Sequence, residues 1–235
     1  MNILTGIYQA DKGEIIIDGY DREFATPLQA IAAGIGMVHQ HFKLVQAFTV
    51  AENIHLGWDQ TPKRASRQVL EARTAELAKK FNLETRPGAT VSDLSTGEQQ
   101  RVEILRVLAR QARLLILDEP TAVLTPAEAR ELFRALREFV SGGNAVIFIS
   151  HKLDEVMEIS DRISILRGGR KIATRETSEC NPHMLANLMV GREIVLADMR
   201  GRGPDAAPVS EKPILVLDKV SAADETGAPA LEDIS

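Results

Sequence analysis

Residues 94–121 read Leu-Ser-Thr-Gly-Glu-Gln-Gln-Arg-Val-Glu-Ile-Leu-Arg-Val-Leu-Ala-Arg-Gln-Ala-Arg-Leu-Leu-Ile-Leu-Asp-Glu-Pro-Thr. Ser95 can cap the helix after it, and Glu98, three residues later, completes a capping box. Gly97 lets another group approach the backbone closely. Exposed N–H groups at a helix start attract an anion. Taken alone, the turn is equally well read as a capped helix. The residues downstream give it more meaning. Leu114–Leu117 is a continuous apolar run of the kind seen in strands covered on both faces, and it runs straight into Asp118-Glu119. A strand end of this kind places Asp118 where ligands bind in open α/β sheets. Asp118 can hold Mg²⁺ there, and Glu119 can orient and polarise an attacking water. The competing reading is an acidic pair that merely caps a strand.

Two further strands deliver side chains in the same way. Ala145-Val146-Ile147-Phe148-Ile149 reads as a second buried strand, and it leads through Ser150 to His151. An imidazole there can hydrogen-bond a terminal phosphate. Ile35–His39 leads to Gln40, whose amide can reach Mg²⁺ or a water. His39 and His41 flank Gln40, but the sequence suggests no third ligand for a metal site of their own. Pro126–Val140 suits a helix with Thr125 as cap, Pro126 first and Glu128 third. Ser141-Gly142-Gly143-Asn144 stops it.

The same reading extends outward. Met1–Gly6 reads as a helix end and Glu14–Gly19 as a strand and turn. Residues 64–82 suit an amphipathic helix with Val69, Ala72, Leu77 and Phe81 on its apolar face. Ile163–Leu166 and Lys171–Thr174 read as a hairpin around Arg167-Gly168-Gly169-Arg170. Alternating helices and buried strands imply an α/β fold, with a mostly parallel sheet and an antiparallel edge. Residues 197–213 are rich in Gly, Pro and Ala and form a linker candidate. Ile214–Asp218 then begins a new strand, and both ends of the chain read as cuts.

Bulk properties narrow the function. Of the 235 residues, 44% are hydrophobic, enough to bury a sizeable core. The formal net charge of −5 argues against a nucleic-acid binder. Cys180 is the one cysteine, so no internal disulfide can form, which fits a reducing compartment. The sequence shows neither a membrane-length apolar run nor a signal peptide. A cytosolic location is the resulting expectation, with docking on a membrane protein left open.

Leu94–Glu98, Leu114–Glu119, Gln40 and His151, in this order and spacing, resemble the signature sequence, Walker B strand, Q-loop glutamine and switch histidine of the ATP-binding subunit of ATP-binding-cassette (ABC) transporters. The resemblance runs from Met1 to about Arg192 and implies a P-loop NTPase-like ABC ATPase fold. It implies a first cassette over 1–196, with a helical subdomain over about 42–110 that faces the membrane subunit. In the family two cassettes sandwich two ATP molecules. Carried over, Glu119 and His151 are catalytic, and Asp118 and Gln40 bind ATP and its Mg²⁺. Ser95 and Gly97 touch the γ-phosphate of an ATP held by a partner domain. Residues 214–235 resemble the start of a second cassette. That tandem arrangement, and the wording of the motifs around Gln40, Gly97 and Thr121, resemble importers for nucleosides and simple sugars. The implied partners are membrane-spanning permease subunits, a second cassette in the same or a partner chain and, indirectly, an extracytoplasmic substrate-binding protein. The implied place is the cytoplasmic face of a bacterial membrane.

The departures from the family pattern matter too. Thr96 stands where Gly is common and Glu98 where Gln is common. Thr125 stands where the family often has Asp. A loop of the form G-x-x-x-x-G-K-[ST] occurs nowhere in the sequence. Met1–Gly6 resembles the helix directly after that loop, so the domain is expected to be truncated at its N-terminus, with apolar strand surface left exposed. Two other readings stand beside this one. The chain could be a non-catalytic docking module, or a soluble cassette acting in translation or DNA repair.

Overall fold

The computed structural model describes residues 1–40, 42–191, 215–223 and 229–235. These fall into two compact units, Met1–Ile194 and Val195–Ser235. The first is built around three parallel strands, β3 (Ile35–Val38), β4 (Leu114–Asp118) and β5 (Ala145–Ile149), in the order β3-β4-β5. A hairpin of β1 (Ile16–Ile17) and β2 (Tyr20–Asp21), then α1 (Pro27–Ala32), precede β3. Residues 1–7 form a turn, with the Thr5 N–H bonded to the Met1 carbonyl at 3.2 Å and Gly6 at a φ of 69°.

β4 holds the middle for a simple reason. Leu115, Ile116 and Leu117 are all completely buried, so neither face of the strand tolerates a polar residue. Leu115 and Leu117 point into a cluster with Val38, Leu105, Phe133 and Leu136. Ile116 points the other way, toward Phe24, Ala30 and Ile35. The expected strand over 114–117 is therefore present and covered on both faces. β5 differs from expectation: Ala145 is exposed and the rest is half-buried. Among the described residues it pairs only with β4, so its far edge lacks a covering strand.

Between β3 and β4 the chain forms α2 (Val50–His55), α3 (Arg67–Lys80) and α4 (Thr96–Ala109). Val50, Ile54, Ala78, Val91, Val102 and Leu105 bury into the same cluster as Leu115 and Leu117, so one core runs through the helices and the sheet. The apolar face of α3 is not the expected one. Val69 and Ala72 are exposed, Leu77 and Phe81 are half-buried, and Thr74 and Ala78 carry the burial. Two small residues one turn apart let α3 pack closely, whereas the larger Val69 lies off that stripe.

α5 (Pro126–Ser141) links β4 to β5, and its Thr125 cap, Pro126 start and Glu128 capping box are as the sequence implies. α6 (Leu153–Ile159) comes after β5, then the hairpin β6 (Arg162–Arg167) and β7 (Arg170–Glu176), then α7 (Pro182–Val190). The antiparallel strands expected at the sheet's edge are present, but β1–β2 and β6–β7 each form a ladder of their own. In the second unit, β8 (Val220–Ala223) and β9 (Pro229–Ile234) form an exposed antiparallel hairpin. The linker expected over 197–213 lies outside the described residues.

Gly36 shows how tightly α4 sits on β3. A Cβ added there would lie 2.1 Å from Val107 Cγ1 and 3.0 Å from Ala112 Cβ. Val107 is β-branched and helical, so its rotamer has little freedom to swing aside. Gly36→Ala is expected to cost about 1–3 kcal/mol, partly recovered by adding Val107→Ala. Denaturant unfolding of the single and double variants measures both; a fully stable Gly36→Ala chain would contradict this packing.

Candidate functional site

The parallel register sends three strand ends to one edge. Val38 is opposite Leu117, and Asp118 is opposite Ile149. Gln40, the Asp118–Glu119 pair and His151 therefore all leave the sheet at its carboxyl edge, where ligands bind in open α/β sheets. His41 lies outside the described residues.

Glu119 and His151 are in direct contact. The Glu119 N–H continues the ladder by donating to the Ile149 carbonyl at 2.9 Å. Its Oε1 accepts from the His151 N–H at 3.1 Å and bonds His151 Nδ1 at 2.8 Å. With Glu119 ionised, the Nδ1 proton lies in that bond and Nε2 is the remaining ring nitrogen. The His151 side chain is 71% exposed and that of Glu119 only 16%. The second carboxylate oxygen, Oε2, is buried without a hydrogen-bond partner. Glu119 also has a φ of 49°, directly ahead of Pro120. That is a strained backbone for a non-glycine residue.

The loop behind Glu119 is tied down by residues the sequence reading did not single out. Thr121, fully buried, donates its hydroxyl to Glu155 Oε2. Lys152 Nζ donates to the Thr121 carbonyl at 2.8 Å and to Glu155 Oε1 at 3.1 Å. The strand end at Glu119 and the segment after His151 are thus braced against each other. A Lys three residues before a Glu at a helix start was the signal available in the sequence.

Asp118 is half-buried and Gln40 exposed, and the side chain of neither makes a hydrogen bond or ion pair among the described residues. No cluster of three or more His, Cys, Asp or Glu suited to a metal exists among the described residues. That donor set suits Mg²⁺, which is held by one or two carboxylates with phosphates and waters supplying the rest. Oε2 of Glu119 is a buried acceptor that no group of the described residues uses.

Ser95 and Gly97 stand apart. Ser95 caps α4, accepting from the Glu98 N–H at 3.3 Å while Glu98 accepts from the Ser95 N–H at 2.8 Å. Arg86 pairs with Glu98 at 3.0 Å. Gly97 is buried because Glu128 lies against it: a Cβ would fall 1.9 Å from Glu128 Oε1. Glu128 also completes the capping box of α5 and pairs with Arg101 at 3.6 Å. Among the described residues no hydrogen bond or ion pair joins Ser95 or Gly97 to Asp118, Glu119 or His151.

The chain is similar to known proteins along most of its length. The sequence profile of a family described as ABC transporter matches residues 1–122. The nucleoside import ATP-binding protein NupA of Lactococcus lactis subsp. cremoris is 45% identical, covering 83% of this chain and 38% of its own. The guanosine import ATP-binding protein NupO of Bacillus subtilis is 42% identical, covering 100% and 45%. The ribose import ATP-binding protein RbsA of Burkholderia mallei is 42% identical, covering 90% and 42%. The chain therefore spans less than half the length of these relatives. Among solved structures, an ATP-binding cassette of an ABC transporter aligns with a TM-score of 0.69 at 23% identity, covering 81% of this chain and 80% of its own. A dimeric cassette in a post-hydrolysis state bound to ADP and phosphate aligns at 0.63 and 24% identity, covering 75% and 78%. These two share the fold.

Three capping boxes make stability depend on pH. In Glu52 and Glu128 the cap residue's backbone N–H, then its hydroxyl, hold the carboxyl below the ordinary glutamate range. In Glu98 burial acts most strongly and upward, but the bonds from Ser95 and Arg86 together outweigh it and the net shift is down. A lowered folded pKa gives stability that is complete above the unfolded value, about 4.3, and is lost as pH falls through the folded one. A Glu52→Gln/Glu98→Gln/Glu128→Gln chain is expected to lose less stability than the parent between pH 5 and pH 3. Urea midpoints across that range measure it; identical slopes would contradict the assignment.

Proposed function

This chain belongs to the ABC transporter family, and on that premise we propose that it is part of an ATP-binding, ATP-hydrolysing importer subunit for nucleosides or simple sugars. The observation that carries the reading is the state of Glu119. One oxygen is held by His151, while the other is buried and unpartnered at the carboxyl edge of the parallel sheet. A carboxylate fixed in this way is oriented, and its second oxygen is an acceptor that no group among the described residues uses. The bracing by Thr121, Lys152 and Glu155 supports this, since it limits movement of the loop that carries the acid. Similarity to relatives named for nucleoside, guanosine and ribose import supports the substrate class.

In this reading Glu119 is the general base and His151 orients it while hydrogen-bonding the terminal phosphate of ATP. Asp118 and Gln40 would hold Mg²⁺, which when bound would neutralise charge on the phosphates. Ser95 and Gly97 serve an ATP held mainly by a partner cassette, and their separation from Glu119 supports that division. The partners are membrane-spanning permease subunits, a second cassette in the same or another chain and, indirectly, an extracytoplasmic substrate-binding protein, with no nucleic acid. The place of action is the cytoplasmic face of a bacterial membrane. Residues 1–196 form one cassette with a helical part over about 42–110, 197–213 a linker, and 214–235 the start of a second cassette. No helix among the described residues is long and apolar enough to cross a membrane.

A docking module without turnover is the second reading, and Mg²⁺-dependent ATP hydrolysis by this chain, abolished by Glu119→Gln, would rule it out.

In the full-length protein with its membrane subunits, Glu119→Gln is expected to slow ATP hydrolysis by about 10²–10⁴-fold while nucleotide binding persists. Steady-state hydrolysis and nucleotide-binding titrations measure the two effects. Wild-type turnover in that variant refutes the assignment of Glu119.

A further inference from the structure

α4 begins at the Ser95 cap and, two turns further on, reaches the chain just behind Gln40. Glu103 is only 2% exposed and accepts the Lys43 N–H through Oε1. Arg106 donates from Nη1 to the Lys43 carbonyl at 2.8 Å and from Nη2 to Glu103 Oε2 at 2.7 Å. The two side chains, one turn apart on α4, thus close a ring around both polar groups of a single residue. Two residues on, Asn53 of α2, completely buried, repeats the pattern on Val45. Its Oδ1 accepts the Val45 N–H at 2.7 Å and its Nδ2 donates to the Val45 carbonyl at 3.0 Å.

A buried carboxylate is retained at a cost unless it is paired and hydrogen-bonded. The observed use of Glu103 is to hold Lys43. Backbone–backbone bonds between Lys43 and neighbouring strands are absent among the described residues, so the side chains set its position.

We propose that Glu103 and Arg106 are positioning residues that make α4 and the segment behind Gln40 one mechanical unit. The inference rests on the importer reading above. Gln40 lies three residues from Lys43, a leash of at most about 11 Å when extended. In this proposal a displacement of Gln40 when its own nucleotide site fills reaches α4 through the clamp, and α4 carries Ser95 and Gly97 toward the other nucleotide. Neither Glu103 nor Arg106 touches ATP in this scheme. They act by keeping the two half-sites of one chain in step.

The test has two arms. In the intact chain, hydrogen exchange at the Lys43 amide reports the clamp directly. Glu103→Ala is expected to speed that exchange by about 10- to 100-fold, the loss of one hydrogen bond to a charged acceptor. Glu103→Gln keeps the volume and an acceptor oxygen, so it serves if the alanine variant folds poorly, and a smaller change in the same direction is expected. Unchanged exchange in both variants overturns the clamp. In the full-length protein with its membrane subunits in vesicles, the second arm measures substrate carried per ATP hydrolysed. Both variants are expected to lower that ratio several-fold while the KM for ATP stays within about twofold, a split that mere loss of stability does not produce. Faster exchange with an unchanged ratio overturns the positioning role. A wild-type complex that drives no nucleoside or sugar uptake refutes the importer reading, and the proposal falls with it. A transporting wild type matched by both variants refutes the proposal alone.

Discussion

Leu115, Ile116 and Leu117 are buried without remainder on opposite faces of one strand, and the geometry of the site hangs on that fact. Each such side chain contributes about 1.5–3 kcal/mol by leaving water. Three of them together approach the lower end of the net stability of a domain, about 5–15 kcal/mol. A strand that must be dry on both faces sits inside the sheet, with β3 on one side and β5 on the other. Because all three run parallel, their carboxyl ends share one edge. Gln40, Asp118, Glu119 and His151 leave the sheet at that edge because a hydrophobic strand has to be covered.

The candidate site includes a strained backbone position. A positive φ at Glu119, immediately before Pro120, costs on the order of 1–3 kcal/mol. It persists because the surroundings over-determine it. The Glu119 N–H extends the ladder, His151 holds the carboxylate, and Thr121, Glu155 and Lys152 brace the loop beyond. The same hydrogen bonds that fix Glu119 leave its second oxygen buried and unpaired.

Glycine at position 97 answers a demand made within the chain itself. The Glu128 carboxylate lies against its α-carbon, and Glu128 is at the same time the capping-box partner of Thr125 and the ion-pair partner of Arg101. The turn that opens α4 is thereby locked to the turn that opens α5. Glu103 and Arg106 lock a later part of α4 to the chain behind Gln40. α4 is therefore the element that joins the turn opening α5 to the chain behind Gln40.

Much of this was readable in the residues. A continuous apolar run ending in two acids, a Ser-x-x-Glu turn, and a Thr-Pro-x-Glu helix start are local patterns whose causes lie within a few residues. The sequence by itself determined β4, the capped starts of α4 and α5, the family resemblance and the side chains at the strand ends. It misjudged the apolar face of α3, where burial tracks Thr74 and Ala78, and the cover on β5, because both depend on what packs against them. Only the tertiary structure decided that Glu119 bonds His151, that Glu155 and Lys152 brace Thr121, and that Glu103 and Arg106 grip Lys43. Those contacts span 32, 34, 31, 60 and 63 residues of chain. A hydrogen bond is won or lost over a few tenths of an ångström, and periodicity and spacing in a sequence do not resolve such a distance across a folded core.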